Sequence, residues 1–525
     1  VIAVSAAQLI ALLQRPNPDN VSPSRKSFEL AALVKIQTLA STVFGMISGL
    51  RVPLPSTNPD DDLKIIEIEL IGESIYGPTG ETDGFRRGVS TFPALDDAVY
   101  LATLEDLARV YAPPRDAAVS VGFIQQDSNV PAFLRVNDLL GKHFSVVGTT
   151  GTGKSCAVAT IMHSVIDQNP HAHVMLLDPH GEYARAFPDE AIVLSPEGDL
   201  RLPYWLCNFD ELAEIVFTGT HPADQSKILG EAVVSARQAF LGRPGVDRHV
   251  NVDAPTPYRL SDLIRHLDHA MGSLHRPDSV ATYQLVKARM LTLQNDVRFE
   301  FMFGSSLTMH DEMSEILSQL FRIPVNGKPI SIIDLSGVPS EVMNVVVSVV
   351  CRLTFDFAIW SETQFPITII CEEAHRYAPR GKDTDFEPVK RALSRIAKEG
   401  RKYGVSLCLV SQRPSDLEPS LLSQCNTMFA MRMSNQDDQD IIRGALPEAS
   451  QGLMQFLPAL RNGEAIVVGE GVSIPMRICF APLPDDCRPK SATASFTTAW
   501  SSDGSDRSAV ENTIDRWRRG VRHAA

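Results

Sequence analysis

This sequence predicts an α/β fold: a parallel sheet with helices on both faces, a small β-rich unit ahead of it and a helical insertion within it. Three observations carry that expectation. Residues 148–155 read Gly-Thr-Thr-Gly-Thr-Gly-Lys-Ser, between the apolar run Phe144-Ser145-Val146-Val147 and a helical stretch from Cys156 to Met162. Short apolar runs at 144–147, 173–177, 330–334, 367–371, 405–410, 427–432 and 464–468 alternate with helical stretches, the pattern of strands buried on both faces. Residues 28–125 instead hold alternating segments, such as Lys64–Leu70 and Ala98–Leu101, broken by Pro, Gly and Asp turns.

Taken in order, residues 1–27 give one amphipathic piece, Ala6 to Leu13, and then a Pro/Asn/Ser linker. Residues 28–125 are expected to form a small β-barrel or sandwich, with Asp60-Asp61-Asp62 in a solvated turn. Residues 126–208 and 321–480 make the α/β core. Residues 209–320 are helix-rich (Asp210–Phe217, Gln225–Leu241, Val280–Gln294) and read as an insertion in that core. From 481 to 525 the chain turns rich in Pro, Asp, Ser and Thr. It closes on a basic amphipathic helix, Asn512 to Val521, carrying Arg516, Arg518 and Arg519. That extension is either a partner arm or a disordered end.

The 525 residues carry a net charge of −14, which excludes a surface that is basic all over. A nucleic-acid partner would need positive charge concentrated locally, as along a channel. The eight cysteines show neither a CxxC pair nor a Cys/His cluster, so a reduced, cytoplasmic setting is expected rather than a zinc site. The longest apolar stretch, Val342 to Trp360, is broken by Asn344, Arg352 and Asp356. No signal peptide or membrane partner is therefore expected.

The octet fits the phosphate-cradling loop G-x-x-x-x-G-K-[ST] in its required strand–loop–helix setting. Gly148 and Gly153 let the backbone approach a triphosphate, and the helix N-terminus aims N–H groups at it. The ATP-binding residues are Gly148, Thr149, Thr150, Gly151, Thr152, Gly153, Lys154, Ser155 and Cys156. Lys154 reaches the β and γ phosphates, and Ser155 holds Mg²⁺. A second carboxylate-bearing strand is needed, and Ile367–Cys371 leads straight into Glu372-Glu373. Glu372 is placed to orient Mg²⁺ through its water shell, Glu373 to polarise the attacking water. Paired carboxylates at a strand tip mark NTPases that hydrolyse repeatedly and disfavour a metabolite kinase. Gln412, after the run 405–410, is placed to sense the γ phosphate or the water. The basic stretch Lys390 to Lys402 is either a solvated helix end or the source of an arginine finger acting on a neighbouring subunit; Arg401, beside a flexible Gly400, is the residue expected for that role.

The order of these motifs resembles the HerA family of the HerA/FtsK group. The resemblance rests on Leu140-Gly141-Lys142-His143-Phe144, Gly148–Ser155, Leu177-Asp178-Pro179-His180-Gly181-Glu182-Tyr183, Glu373-Ala374-His375, Gly400-Arg401-Lys402-Tyr403-Gly404 and Ser411-Gln412-Arg413-Pro414. It spans residues 28–480. It implies a RecA-like P-loop NTPase core, an N-terminal β-barrel, and a C-terminal brace on the adjacent subunit. It further implies a homo-hexamer that hydrolyses ATP with Mg²⁺ to translocate double-stranded DNA. A nuclease or other effector would dock on the barrel face, in anti-phage defence or DNA end processing. Lys142 and Arg395 are placed as inter-subunit residues beside Arg401. Arg185, Arg376, Arg380 and Lys382, with His375, are basic residues expected at loop tips facing DNA. The family's usual Asp-Glu pair is Glu372-Glu373 here. Two other readings stay open: a nucleotide-gated ring scaffold that switches a toxic effector, and a conjugative coupling protein, whose usual N-terminal membrane helices are absent from this sequence.

Overall fold

The computed structural model describes residues 1–5, 8–13, 28–52, 63–76, 84–217, 222–242, 251–273, 277–304, 311–381, 387–446, 452–490, 496–501 and 507–519. Asp60–Asp62, Lys382 and most of the expected linker lie outside them.

Two sheets organise the chain. The first comprises β1 (Ala3–Val4), β2 (Gln8–Leu12), β3 (Leu33–Gln37), β4 (Ser41–Arg51), β5 (Ile65–Ile75), β6 (Arg86–Arg87) and β7 (Val99–Leu101). Its order is β1-β2-β5-β4-β3-β7, with β6 on β5, and every pair is antiparallel. Register shifts at Phe44/Gly45 and Ile47/Gly49 curl the long β4–β5 pair. A small core of Leu9, Val34, Ile36, Ile47, Ile66 and Ile68 fills the curve.

The expected barrel is not confirmed. The end strands have only two and three residues, too few for a closing ladder. Around that seam run two hydrogen bonds, Val1 N to Asp97 O at 2.8 Å and Asp96 N to Val1 O at 2.9 Å. The boundaries shift as well. The amphipathic piece Ala6 to Leu13 supplies β2, because Leu9 and Ala11 alternate into the same core, and β1 precedes it.

The second sheet comprises β8 (Ala118–Ile124), β9 (Asp127–Arg135), β10 (Phe144–Val147), β11 (Val174–Asp178), β12 (Ala191–Leu194), β13 (Ile330–Asp334), β14 (Ile367–Cys371), β15 (Val405–Ser411), β16 (Thr427–Ala430), β17 (Glu464–Gly469) and β18 (Met476–Phe480). Its order is β12-β13-β11-β14-β15-β10-β16-β17-β18-β8-β9. From β12 to β16 neighbours run parallel; from β16 to β9 they run antiparallel. β8, expected in the N-terminal unit, pairs with β18 instead. Its Val119 and Val121 pack beside the helix that follows the glycine loop.

That helix, Lys154–Gln168, covers one face of the sheet. The helices Ser340–Trp360 and Glu387–Tyr403 cover the other, together with the expected insertion, whose main helices are Phe209–Phe217, Ala223–Leu241, Leu260–Ser273, Pro277–Asn295 and Met313–Phe321. A bidentate ion pair ties the insertion to the core. Arg352 Nε and Nη2 each lie 3.0 Å from Glu211, whose carboxylate also accepts from Ser348 Oγ at 3.0 Å. The segment Val342–Trp360 is long and apolar enough to cross a membrane, yet it is packed inside the molecule. In the closing helix, Arg507–Arg519, the described side chains are exposed, Trp517 and Arg518 among them; those of Arg516 and Arg519 lie outside the description.

Candidate functional site

β10 sits between β15 and β16, so the glycine loop leaves the middle of the sheet at its C-terminal edge, where open α/β sheets bind ligands. Backbone bonds pin the loop to its neighbours: Gly148 N to Ser411 O at 3.2 Å and Thr149 N to Arg432 O at 3.0 Å. Gly151 and Gly153 take φ of 77° and 98°, left-handed values that turn the loop over the helix N-terminus. Thr152 Oγ1 donates to Thr149 O at 2.8 Å and shapes the turn from within.

Lys154, Ser155, Glu372, Glu373 and Gln412 converge at this edge. Lys154 is buried, and its Nζ donates to Thr149 O at 3.2 Å. Burial lowers its affinity for a proton, while Glu372, Glu373 and Glu182 oppose that. Gln412 Oε1 accepts from Thr150 Oγ1 and thus touches the loop directly. Glu373 follows β14 with φ of 52°. Its Oε2 is buried and makes no hydrogen bond, although His375 Nδ1 lies 3.3 Å away; His180 Nε2 lies 3.8 Å from Oε1. A buried carboxylate oxygen left unbonded beside a lysine is where a hydrated ligand belongs. The loop, the Ser155 hydroxyl and this orphaned oxygen therefore fit a nucleotide with a hard divalent cation.

Glu372 is held differently. It is 3% exposed and accepts from Tyr183 OH at 2.8 Å. Burial, reinforced by Glu373, pushes its carboxyl up to about 8 against the opposing pull of Tyr183 and Lys154.

Sequence reasoning gave the segment 177–183 no role of its own, yet it builds the site's flank. Asp178, at the tip of β11, accepts from the backbone N–H of His180, Gly181 and Tyr183 at 3.1, 2.9 and 3.0 Å. Burial raises its carboxyl to about 6 even so. The turn it folds delivers Glu182, whose Oε2 accepts from Ser155 Oγ at 3.0 Å. The strand tip itself was visible in the sequence, as an apolar run ending at Asp178; its place beside Glu372 was not.

The remaining predicted residues lie elsewhere. Cys156, in the first turn of the helix, is half-buried. Arg401 and Lys142 sit at the N-terminal edge of the sheet, opposite the loop; Lys142 pairs with Asp138 at 2.7 Å and with Glu470. Arg395 packs its guanidinium 4.5 Å from the Phe355 ring and lies 3.6 Å from Asp356, a use within the chain. Gly400 is a close-approach residue rather than a flexible one, since a Cβ there would come 2.5 Å from Val405 O. Arg376 and Arg380 are exposed just beyond β14. Arg185 is exposed but donates to Asp485 O at 2.9 Å. His375 turns inward, its Nδ1 3.1 Å from Ser411 Oγ, and burial keeps its ring toward the neutral form. It belongs to the nucleotide edge, not to a DNA-facing loop tip.

Several known proteins are similar to this chain. Residues 119–354 match the family described as Helicase HerA, central domain. The chain is 28% identical over 416 residues to the DNA double-strand break repair helicase HerA of Pyrococcus furiosus, covering 72% of this chain and 71% of that one. It is 26% identical over 384 residues to the protein of the same name from Saccharolobus solfataricus, covering 71% and 69%. Among solved structures, VirB4 of Thermoanaerobacter pseudethanolicus aligns with a TM-score of 0.52 at 14% identity, over 71% of this chain and 99% of that one. That likeness is one of fold.

Proposed function

Taking residues 119–354 as a HerA central domain, we propose that this chain couples ATP hydrolysis to movement of double-stranded DNA through a ring of its own copies. The chain is a P-loop ATPase of the helicase type. The observation that carries the proposal is the convergence of Lys154, Ser155, Gln412 and an unbonded Glu373 oxygen at one sheet edge. That set can bind a triphosphate, hold its cation and polarise a water for in-line attack. Mg²⁺ supplies charge neutralisation at the β and γ phosphates when bound; Ser155 and a nearby carboxylate would hold it. Lys154 binds the phosphates, Glu373 orients the water and draws its proton, and Gln412 reads the state of the loop through Thr150.

Duplex DNA as the substrate is supported by the likeness to DNA double-strand break repair helicases over 72% and 71% of this chain. Arg376 and Arg380, exposed on the nucleotide side of the sheet, suit sequence-independent phosphate contacts. ATPase rate with and without linear duplex DNA, and displacement of a third strand from a triplex, test the reading. We expect about tenfold stimulation and ATP-dependent displacement, on the order of the coupling a motor needs. An ATPase indifferent to DNA, with no displacement, rejects translocation and leaves the nucleotide-gated scaffold.

One observation favours a docked effector in either reading. The N-terminal unit exposes Leu50 and Tyr100 on its strands and Leu30, Leu39, Val52, Phe92 and Leu95 on its loops. Exposed apolar side chains on a unit this small leave surface that a partner could cover. A nuclease or other effector is proposed to dock there, in defence or DNA end processing.

A further inference from the structure

We infer that Glu182, together with Ser155, ligates the divalent cation of this site, and that the strand-tip carboxylate Glu372 does not. The inference rests on the nucleotide-site reading above and deepens it.

The first observation is spacing. Ser155 Oγ and Glu182 Oε2 are 3.0 Å apart. Octahedral Mg²⁺ binds oxygen at about 2.0–2.1 Å, so two adjacent ligands stand about 2.9 Å apart. The pair already has the separation that a shared cation requires, and the serine hydroxyl need only turn its proton away from Glu182 to offer a lone pair.

The second observation is how each carboxylate is held. Glu372 is 3% exposed, and one of its oxygens accepts from Tyr183 OH at 2.8 Å. Mg²⁺ keeps much of its water shell, and a carboxylate sealed in this way has little room for it. Glu182 is half-buried and its carboxylate meets the loop serine directly.

The third observation is the mounting. Asp178 gathers the N–H groups of His180, Gly181 and Tyr183, and Gly181 takes φ of 66° to close the turn. On the far side, Glu182 O accepts from Lys490 N at 3.0 Å. The backbone carrying Glu182 is thus fixed before and after the residue, as a ligand must be for a site to be pre-formed. Tyr183 occupies Glu372 from the same turn, so one segment both presents Glu182 and engages Glu372.

The test measures Mn²⁺ retained by the full chain with a saturating non-hydrolysable ATP analogue, from the electron paramagnetic resonance signal of free Mn²⁺. Analogue binding without metal is measured in parallel. Glu182→Gln keeps an oxygen that can accept from Ser155 and removes the charge. We expect Mn²⁺ affinity to fall tenfold or more, with metal-free analogue affinity within about twofold of wild type, the loss typical of a removed metal ligand or its support. Glu182→Asp should fall between. Glu372→Gln should retain Mn²⁺ better than Glu182→Gln. Wild-type Mn²⁺ affinity in Glu182→Gln, or a larger loss in Glu372→Gln, overturns the inference while leaving the nucleotide site standing. A wild-type chain that binds the analogue equally with and without Mn²⁺ overturns both.

Discussion

Glu373 adopts a backbone conformation that glutamate takes reluctantly. Its φ of 52° lies in the left-handed region, at a cost of about 1–2 kcal/mol for a residue with a Cβ. The conformation turns the carboxylate back over the sheet edge toward Lys154 and leaves Oε2 unbonded. Strain of this sort persists where surrounding structure enforces it, and it gathers at functional sites. The two residues should then fail differently. Lys154→Ala removes the phosphate contact and should weaken ATP binding. Glu373→Gln keeps shape and binding but should lower turnover by about 10²-fold or more, the scale of one lost base or electrostatic element. Equilibrium binding of a fluorescent ATP analogue beside steady-state phosphate release separates the two outcomes. Near wild-type turnover in Glu373→Gln would remove the role given to that carboxylate. The loop and both glutamates were legible in sequence because contiguous residues make them. Glu182 and Tyr183 were not legible as site residues. Their roles depend on β11 lying next to β14, and spacing along the chain does not encode that neighbour.

At the scale of elements, seven strands of the core were read almost to the residue, since an apolar run buried on both faces needs no partner to be recognised; the edge strand β12, only partly buried, was missed. Three of the antiparallel strands beyond β16, namely β18, β8 and β9, resisted, because their buried positions are interspersed with exposed ones and their pairing joins residues 118–135 to residues 476–480. The charges inside the Val342–Trp360 run were likewise opaque until Arg352 was seen gripping Glu211. That pair makes a prediction. Arg352→Leu strands a buried carboxylate and should destabilise the chain by about 3–5 kcal/mol, read from chemical denaturation. Arg352→Leu combined with Glu211→Leu should recover much of the loss.

A second element is tuned by pH. Asp106 closes the capping box of the helix Leu104–Val110 with Thr103 and accepts from Lys35 at 2.6 Å, joining that helix to β3. Burial pushes its carboxyl up, but Lys35 and Thr103 win and hold it below 3.8. A depressed folded value means stability that is present above the unfolded value and lost as pH falls through the folded one. Asp106→Asn should therefore cost about 1–2 kcal/mol at pH 7. The gap from wild type should narrow only below about pH 3.8. A gap unchanged down to pH 3 would show that the carboxylate's charge contributes nothing.

At the scale of the whole molecule, the decisive geometry is which edge of the sheet each group occupies. Gln412 and the glycine loop lie at the C-terminal edge; Arg401 lies before β15, at the other. The seven residues of β15 separate them, about 20 Å at the usual rise per residue. Arg401 cannot reach the nucleotide bound by its own chain. It adjoins a cleft of about 680 Å³ at the opposite edge, with Gln364, Pro366 and Gly404. If copies pack edge to edge in a ring, that edge is the one able to meet a neighbour's phosphates, and Arg401 is proposed to act there as an arginine finger. Activity should then track assembly, so native mass spectrometry and ATPase rate should rise together with concentration. Arg401→Ala rings should bind ATP normally and hydrolyse it poorly. Mixing Arg401→Ala with Glu373→Gln subunits should restore activity, because some interfaces then combine an intact Glu373 from one parent with an intact Arg401 from the other. With random exchange at equal amounts, about a quarter of interfaces are intact on both sides, so recovery on the order of a quarter of wild type is expected if sites fire independently. Less recovery in rings shown to exchange subunits would mean that sites fire in concert. No recovery at any mixing ratio, together with full activity in the monomer, would assign Arg401 to the solvated end of its helix and dismiss the ring as the working unit.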